Sequence, residues 1–212
     1  MEPPDMSKAG VTDDMRAVPP AGYSPDDRMP VIAEADMTPE QQAAVAAFRE
    51  KRGQEPGGPF VPLMRSPAVL NAATNLGAYL RFESALAMDL SELAIIITAR
   101  RWSQNYEWGA HRKIAEQAGL PAAIADAIRE GRRPEGMNDA QQIIYDFCTE
   151  VHSNGQVCDT TYDKAKAAFG EHGVIDITTI CGYYSLLAMV MNVARTPLPT
   201  GAEAELKPFK KS

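Results

Sequence analysis

The stretch Ser91–His111 reads SELAIIITARRWSQNYEWGAH, and the reading of its first half decides the fold. Leu93, Ala94, Ile95, Ile96 and Ile97 form a short continuous apolar run. Periodicity alone cannot assign such a run to a buried strand or a buried helix. Its flanks favour a helix. Asp89 or Ser91 can open one, Glu92 suits the first turn, and Ala99-Arg100-Arg101 supplies good helix formers with positive charge at the C-terminal end. Ser103 then reads as a new N-cap for a helix from Gln104 to Gln117, which Ala118-Gly119 stops.

Helices follow in both directions from this pair. Toward the N-terminus, Ser66-Pro67 opens a helix to about Glu83, with Val69, Leu70, Ala73, Leu76, Gly77 and Leu80 at helical spacing. Residues 53 to 65, GQEPGGPFVPLMR, read as a loop whose glycines do not have the spacing of a dinucleotide fingerprint. Thr38-Pro39-Glu40-Gln41 carries a capping box and a first-turn proline, predicting a helix to about Arg52 that ends at Gly53. Residues 1–37, punctuated by prolines and without sustained period, read as an extended or disordered arm. Toward the C-terminus the predicted helices run from Pro121 to near Gly131, from Asn138 to about Val151, and from Asp159 or Thr160 to about Phe169. Gly170-Glu171-His172-Gly173 is a break. The final helix runs from about Val174 to Ala194, with Ile177, Ile180, Cys181, Tyr184, Leu187, Ala188 and Met191 on its buried side. No alternating strand pattern competes. The expectation is an all-α, orthogonal multi-helix bundle of about eight helices, one domain over 38–199, with a tail over 200–212.

The chain has 212 residues, 45% of them hydrophobic, and a formal net charge of -7. That suffices for one globular core. An acidic surface argues against nucleic acid or an anionic membrane as partner. Lys207, Lys210 and Lys211 read as a solvated tail, no run of about 18 apolar residues is seen, and the first residues lack the order of a signal peptide. The expected location is the cytoplasm. Cys148, Cys158 and Cys181 form no C-x-x-C pair and are read as inert thiols, not a disulfide framework or a zinc site.

Gln104, Glu107 and His111 stand at i, i+3 and i+7, on one helix face. Glu107 and His111 can bond directly at i, i+4, and a carboxylate beside an imidazole fixes its tautomer and supports proton transfer. Gln104 sits in the first turn, where free backbone N–H groups favour an anion. Glu92 can orient His111 or act as a second acid/base group. Tyr106 and Trp108 can wall a small cavity, although a tryptophan is more often core packing. Arg81 can hold a substrate carboxylate or pair with Glu83 or Glu92. His152 and His172 fall at loop positions and read as surface residues. His111, Glu107 and Glu92 lack a second nearby histidine, so no metal site is expected.

The segments Gly58-Pro59-Phe60, Leu80-Arg81-Phe82-Glu83, Glu92-Leu93-Ala94-Ile95 and Tyr106-Glu107-Trp108-Gly109-Ala110-His111 together resemble the carboxymuconolactone decarboxylase family. Its superfamily also contains the thiol peroxidases of the alkylhydroperoxidase-D type. The likeness covers roughly residues 40 to 197. The peroxidase branch has a Glu, a Cys twelve residues on, a second Cys three later and a His four later; from Glu92 that interval meets Gln104, Glu107 and His111. Both thiols are absent, so a thiol peroxidase is disfavoured. The decarboxylase branch resembles Glu-x-x-x-His at this place, kept as Glu107 and His111. The resemblance implies a cofactor-independent lyase or isomerase on a small anionic carbonyl compound or lactone, with catalytic His111, Glu107 and Glu92 and substrate-binding Gln104, Tyr106, Trp108 and Arg81. It implies no cofactor and a homo-oligomer, a trimer or hexamer. The competing readings are a non-catalytic ligand-binding or assembly protein of the same fold, and a residual redox role for the cysteines.

Overall fold

The computed structural model describes residues 27–208. Residues 1–26 of the arm, and Lys210 and Lys211, lie outside the described residues. Among the described residues every α- or β-element is a helix: α1 (Pro39–Arg52), α2 (Phe60–Leu63), α3 (Pro67–Phe82), α4 (Met88–Arg101), α5 (Asn105–Gln117), α6 (Ala122–Arg129), α7 (Asp139–Asn154) and α8 (Asp159–Ala194), preceded by a 3-10 turn at Glu34–Asp36. The chain is an all-α multi-helix bundle.

The deciding stretch is its axle. Every residue of α4 from Leu90 to Arg100 is buried, and α4 packs against α3, α5, α6, α7 and α8. A helix enclosed on all sides has no polar face, so its apolar run carries no helical period. It begins at Met88 behind Ala87, one residue before Asp89 and three before Ser91. The other starts follow local chemistry. Thr38 and Asn138 each close a capping box with the glutamine three residues on, and Gly53 and Gly155 end their helices with φ of 65° and 71°.

Four details depart from the sequence reading. The N-cap of α5 is Gln104, whose side chain accepts from the Tyr106 backbone N–H at 2.8 Å; Ser103 instead takes a left-handed φ of 49° in the link from α4. The segment read wholly as a loop contains the single turn α2. The break predicted at Gly170 is a kink: φ 69°, ψ 176° at Gly170 joins two helical arms into α8. The C-terminal arm of α8 is long and apolar enough to cross a membrane by length and composition, where the sequence reading saw no such run. That arm packs inside the bundle through Ile177, Ile180, Tyr184, Leu187 and Met191.

The segment around Glu205 and Leu206 is docked on α5. Asn105 accepts from the Leu206 N–H at 2.7 Å and donates to the Leu206 carbonyl at 3.2 Å, and the Leu206 side chain is fully buried. Trp108 Nε1 donates to Glu205 at 3.1 Å, and Arg112 joins Glu205, Asp126 and Glu116. Lys207 therefore follows a fixed segment. Leu206→Ala is expected to cost about 2–5 kcal/mol of stability, as for other fully buried leucines; urea unfolding of the full chain measures it.

Candidate active site

α5 presents Tyr106, Glu107, Ala110 and His111 to a cavity of about 220 Å³. The opposite walls come from Arg52 at the end of α1, the loop residues Gly57 and Pro59 with Phe60, Gly77 and Arg81 on α3, and Tyr183, Tyr184 and Leu187 on α8. Two glycines make the enclosure possible. A Cβ at Gly58, which has φ of 55°, would collide with the Tyr106 ring; one at Gly77 would overlap the Tyr183 hydroxyl and the Arg52 guanidinium.

His111 does not pair with Glu107 as its i, i+4 spacing suggested. Its Nδ1 meets Glu92 Oε2 at 2.7 Å, across the packed pair α4 and α5. The Tyr184 ring lies edge-on to the imidazole at 5.0 Å and 83°, which holds the ring turned toward α4. A carboxylate can only accept, so the hydrogen of a neutral His111 sits on Nδ1 and Nε2 keeps its lone pair for a ligand. Glu92 is buried behind His111 and reaches the cavity only through it.

Glu107 stands alone. It is 3% exposed, and neither carboxyl oxygen has a hydrogen-bond partner among the described residues. Burial pushes its pKa well above the usual carboxylate range. A neutral carboxylic acid at the cavity wall can both donate and accept. Burial likewise raises Tyr106, raises Tyr184 well above the ordinary phenol value, and pushes Tyr183 up to about 12. The Tyr183 hydroxyl is committed to the Ala73 carbonyl at 2.8 Å.

Positive charge faces these acids. Arg81 makes no ion pair with Glu83 or Glu92; its guanidinium stacks over Phe82 at 5.3 Å. Arg52 touches Phe60 at 5.3 Å and the Thr74 carbonyl at 3.3 Å, and its buried Nε has no partner among the described residues. Two guanidiniums with spare donors in one small cavity suit an anion.

The structure thus brings Glu107, His111, Tyr106 and Arg81 to one cavity, with Glu92 behind His111. It leaves out Gln104 and Trp108. Gln104 is spent as a cap and on a bond from its Nε2 to Asn192 Oδ1 at 2.8 Å. Trp108 is fully buried in the core with its N–H on Glu205. Neither can meet a substrate in this cavity. Arg52, Tyr183 and Tyr184 are wall residues that sequence reasoning missed. Arg52 was read only as the last residue of a helix, and Tyr184 as core; the adjacent tyrosines in an aliphatic helix were the available signal. No group of three His, Cys, Asp or Glu among the described residues is placed to hold a metal ion.

No family model matches the chain, and no curated protein matches it. Solved structures that share its fold include two of one protein. Both are of the debrominase Bmp8, one apo and one a cysteine-to-alanine variant in complex with 2,3,4-tribromopyrrole. Each superposes with a TM-score of 0.64 at 15% identity over 84% of this chain, covering 95% and 94% of the other. The likeness shows the fold.

Proposed function

We propose that the chain is a cofactor-independent proton-transfer enzyme, a lyase or isomerase, acting on a small anionic carbonyl compound or lactone. The observation that carries this reading is the Glu92–His111 pair at the wall of a cavity that also holds two guanidiniums. In the proposed reaction Arg52 and Arg81 hold the substrate carboxylate. His111 Nε2 takes a proton next to the carbonyl, and Glu92 steadies the imidazolium that forms. Glu107, as a neutral acid, donates to the developing enolate oxygen or returns a proton to carbon. The phenol and aliphatic groups lower the polarity of the walls, which strengthens each of these interactions.

The shared fold and the Glu-x-x-x-His spacing support placing the chain in the carboxymuconolactone decarboxylase-like superfamily. A thiol-dependent reading of this cavity lacks support from its walls, none of which is a cysteine. The test is a screen of small lactones and β-keto acids by ultraviolet absorbance, followed by Arg81→Met on any substrate found. Arg81 has no carboxylate partner to orphan, so its loss falls on the substrate. A charge-assisted hydrogen bond contributes about 1.5–3 kcal/mol, so KM is expected to rise about 10–100-fold with the fold intact. Binding of these acids without turnover would favour the non-catalytic reading; an unchanged KM would remove Arg81 from the site.

A further inference from the structure

A second cluster lies outside that cavity, where α4, α7 and α8 meet. Cys148 of α7 and Cys181 of α8 place their sulfurs 3.5 Å apart in the core. His152, one turn beyond Cys148, bonds through Nε2 to Thr98 Oγ1 of α4 at 2.9 Å. It is not the free surface residue that its loop-like sequence suggested. His152 also lines a separate cavity of about 190 Å³, together with Thr149, Ser153 and Arg101. His152 therefore stands between that cavity and Thr98 of α4, one turn along α7 from the paired sulfurs.

The two sulfurs differ in their surroundings. The Cys148 hydrogen bond, then His152 and Thr98, hold Cys181 below the usual thiol range against the effect of burial. Cys148 is pushed the other way by the hydrogen bond it shares and by burial. Either sulfur can hold the shared proton on geometry alone; His152 and Thr98 act on Cys181, so Cys181 is the sulfur that ionises and Cys148 the one that donates. Inert core thiols require neither a neighbouring thiol at hydrogen-bond distance nor an imidazole leading to a cavity.

We propose that Cys148 and Cys181 form a redox-active dithiol, oxidised to an intrachain disulfide by a small hydroperoxide such as hydrogen peroxide, with His152 accepting the Cys181 proton. The Cys181 thiolate attacks one peroxide oxygen. The O–O bond breaks, Cys181 becomes a sulfenic acid, and the leaving hydroxide takes the proton held by His152 as water. The Cys148 sulfur then attacks the Cys181 sulfur, the S–O bond breaks, and the second hydroxide leaves as water with the Cys148 proton. Two thiols and one peroxide give one disulfide and two waters. A disulfide has a sulfur–sulfur distance of about 2.0 Å, so closure asks the two side chains to approach each other.

The experiment is peroxide treatment of the reduced full-length protein, alkylation under denaturing conditions, and mass spectrometry. The expected result is one alkylatable thiol, Cys158, and a peptide pair joined through Cys148 and Cys181. Cys158→Ser, at an exposed position, is expected to form the same bridge. Cys148→Ser is expected to stop at a sulfenic acid on Cys181 that dimedone traps. His152→Ala is expected to slow bridge formation about tenfold, through loss of thiolate at neutral pH, and added imidazole is expected to restore part of that rate. Three alkylatable thiols after peroxide, or a bridge only between the Cys158 residues of two chains, would overturn the proposal. A rate that His152→Ala leaves unchanged, or a slowed rate that imidazole does not restore, would overturn the role of His152.

Discussion

His111→Ala is expected to lower turnover about a thousandfold on whatever substrate the screen identifies, the middle of the range for a positioned acid–base group. The alanine variant also leaves the buried Glu92 carboxylate without its partner, which costs about 1–3 kcal/mol. A drop in activity from that variant alone would therefore mix chemistry with stability. His111→Gln separates them. Its amide can still donate to Glu92, so the fold is held, yet it cannot carry a proton at neutral pH. Both variants are expected to keep their helical circular dichroism and both to lose turnover, with the glutamine variant melting closer to the parent. Turnover within a few fold of the parent in His111→Gln would sink the proton-transfer assignment.

The fold was legible because its helix ends are written in short local motifs. The capping boxes at Thr38 and Asn138 and the glycines at 53 and 155 bound their helices, and Gly170 kinks α8, through backbone chemistry that needs no tertiary contact. The site was legible only as far as one helix reaches. Spacing placed Glu107 and His111 on one face, and that held. Spacing could not decide which carboxylate His111 takes, since Glu92 approaches from α4 and Tyr184 turns the ring from α8. The same limit hid Arg52, which is distant in sequence and enters the cavity only because Gly77 lets α3 leave room for it. Gln104 and Trp108 failed for the converse reason. Their neighbours on α5 face the cavity, but Asn192 and Glu205, from the far end of the chain, claim their polar atoms. Cys148 and Cys181 are 33 residues apart and read as unrelated until α7 and α8 pack.

Glu107→Gln is expected to stabilise the protein and impair it together. In the folded chain the pKa of Glu107 is raised above its ordinary 4.5 by burial. The unfolded chain gives up this proton near the ordinary value. Between the two, the folded state holds one proton more, so stability falls as pH rises from about 4.5 toward the folded value, by about 1.4 kcal/mol per pH unit. Below 4.5 the contribution is fully present. A glutamine has nearly the same shape and no proton to lose, so its variant escapes this decline. Urea unfolding should find the two proteins close at pH 4.5 and the variant ahead at pH 7, by up to about 3 kcal/mol. Turnover should move the other way, down about a hundredfold, because an amide can donate a hydrogen bond but cannot surrender the proton that the reaction returns to carbon. A site that holds an unpartnered acid against this cost is trading stability for chemistry. A stability difference independent of pH would show that Glu107 is ionised in the folded chain. A more stable variant with full turnover would show that the acid has no part in the reaction.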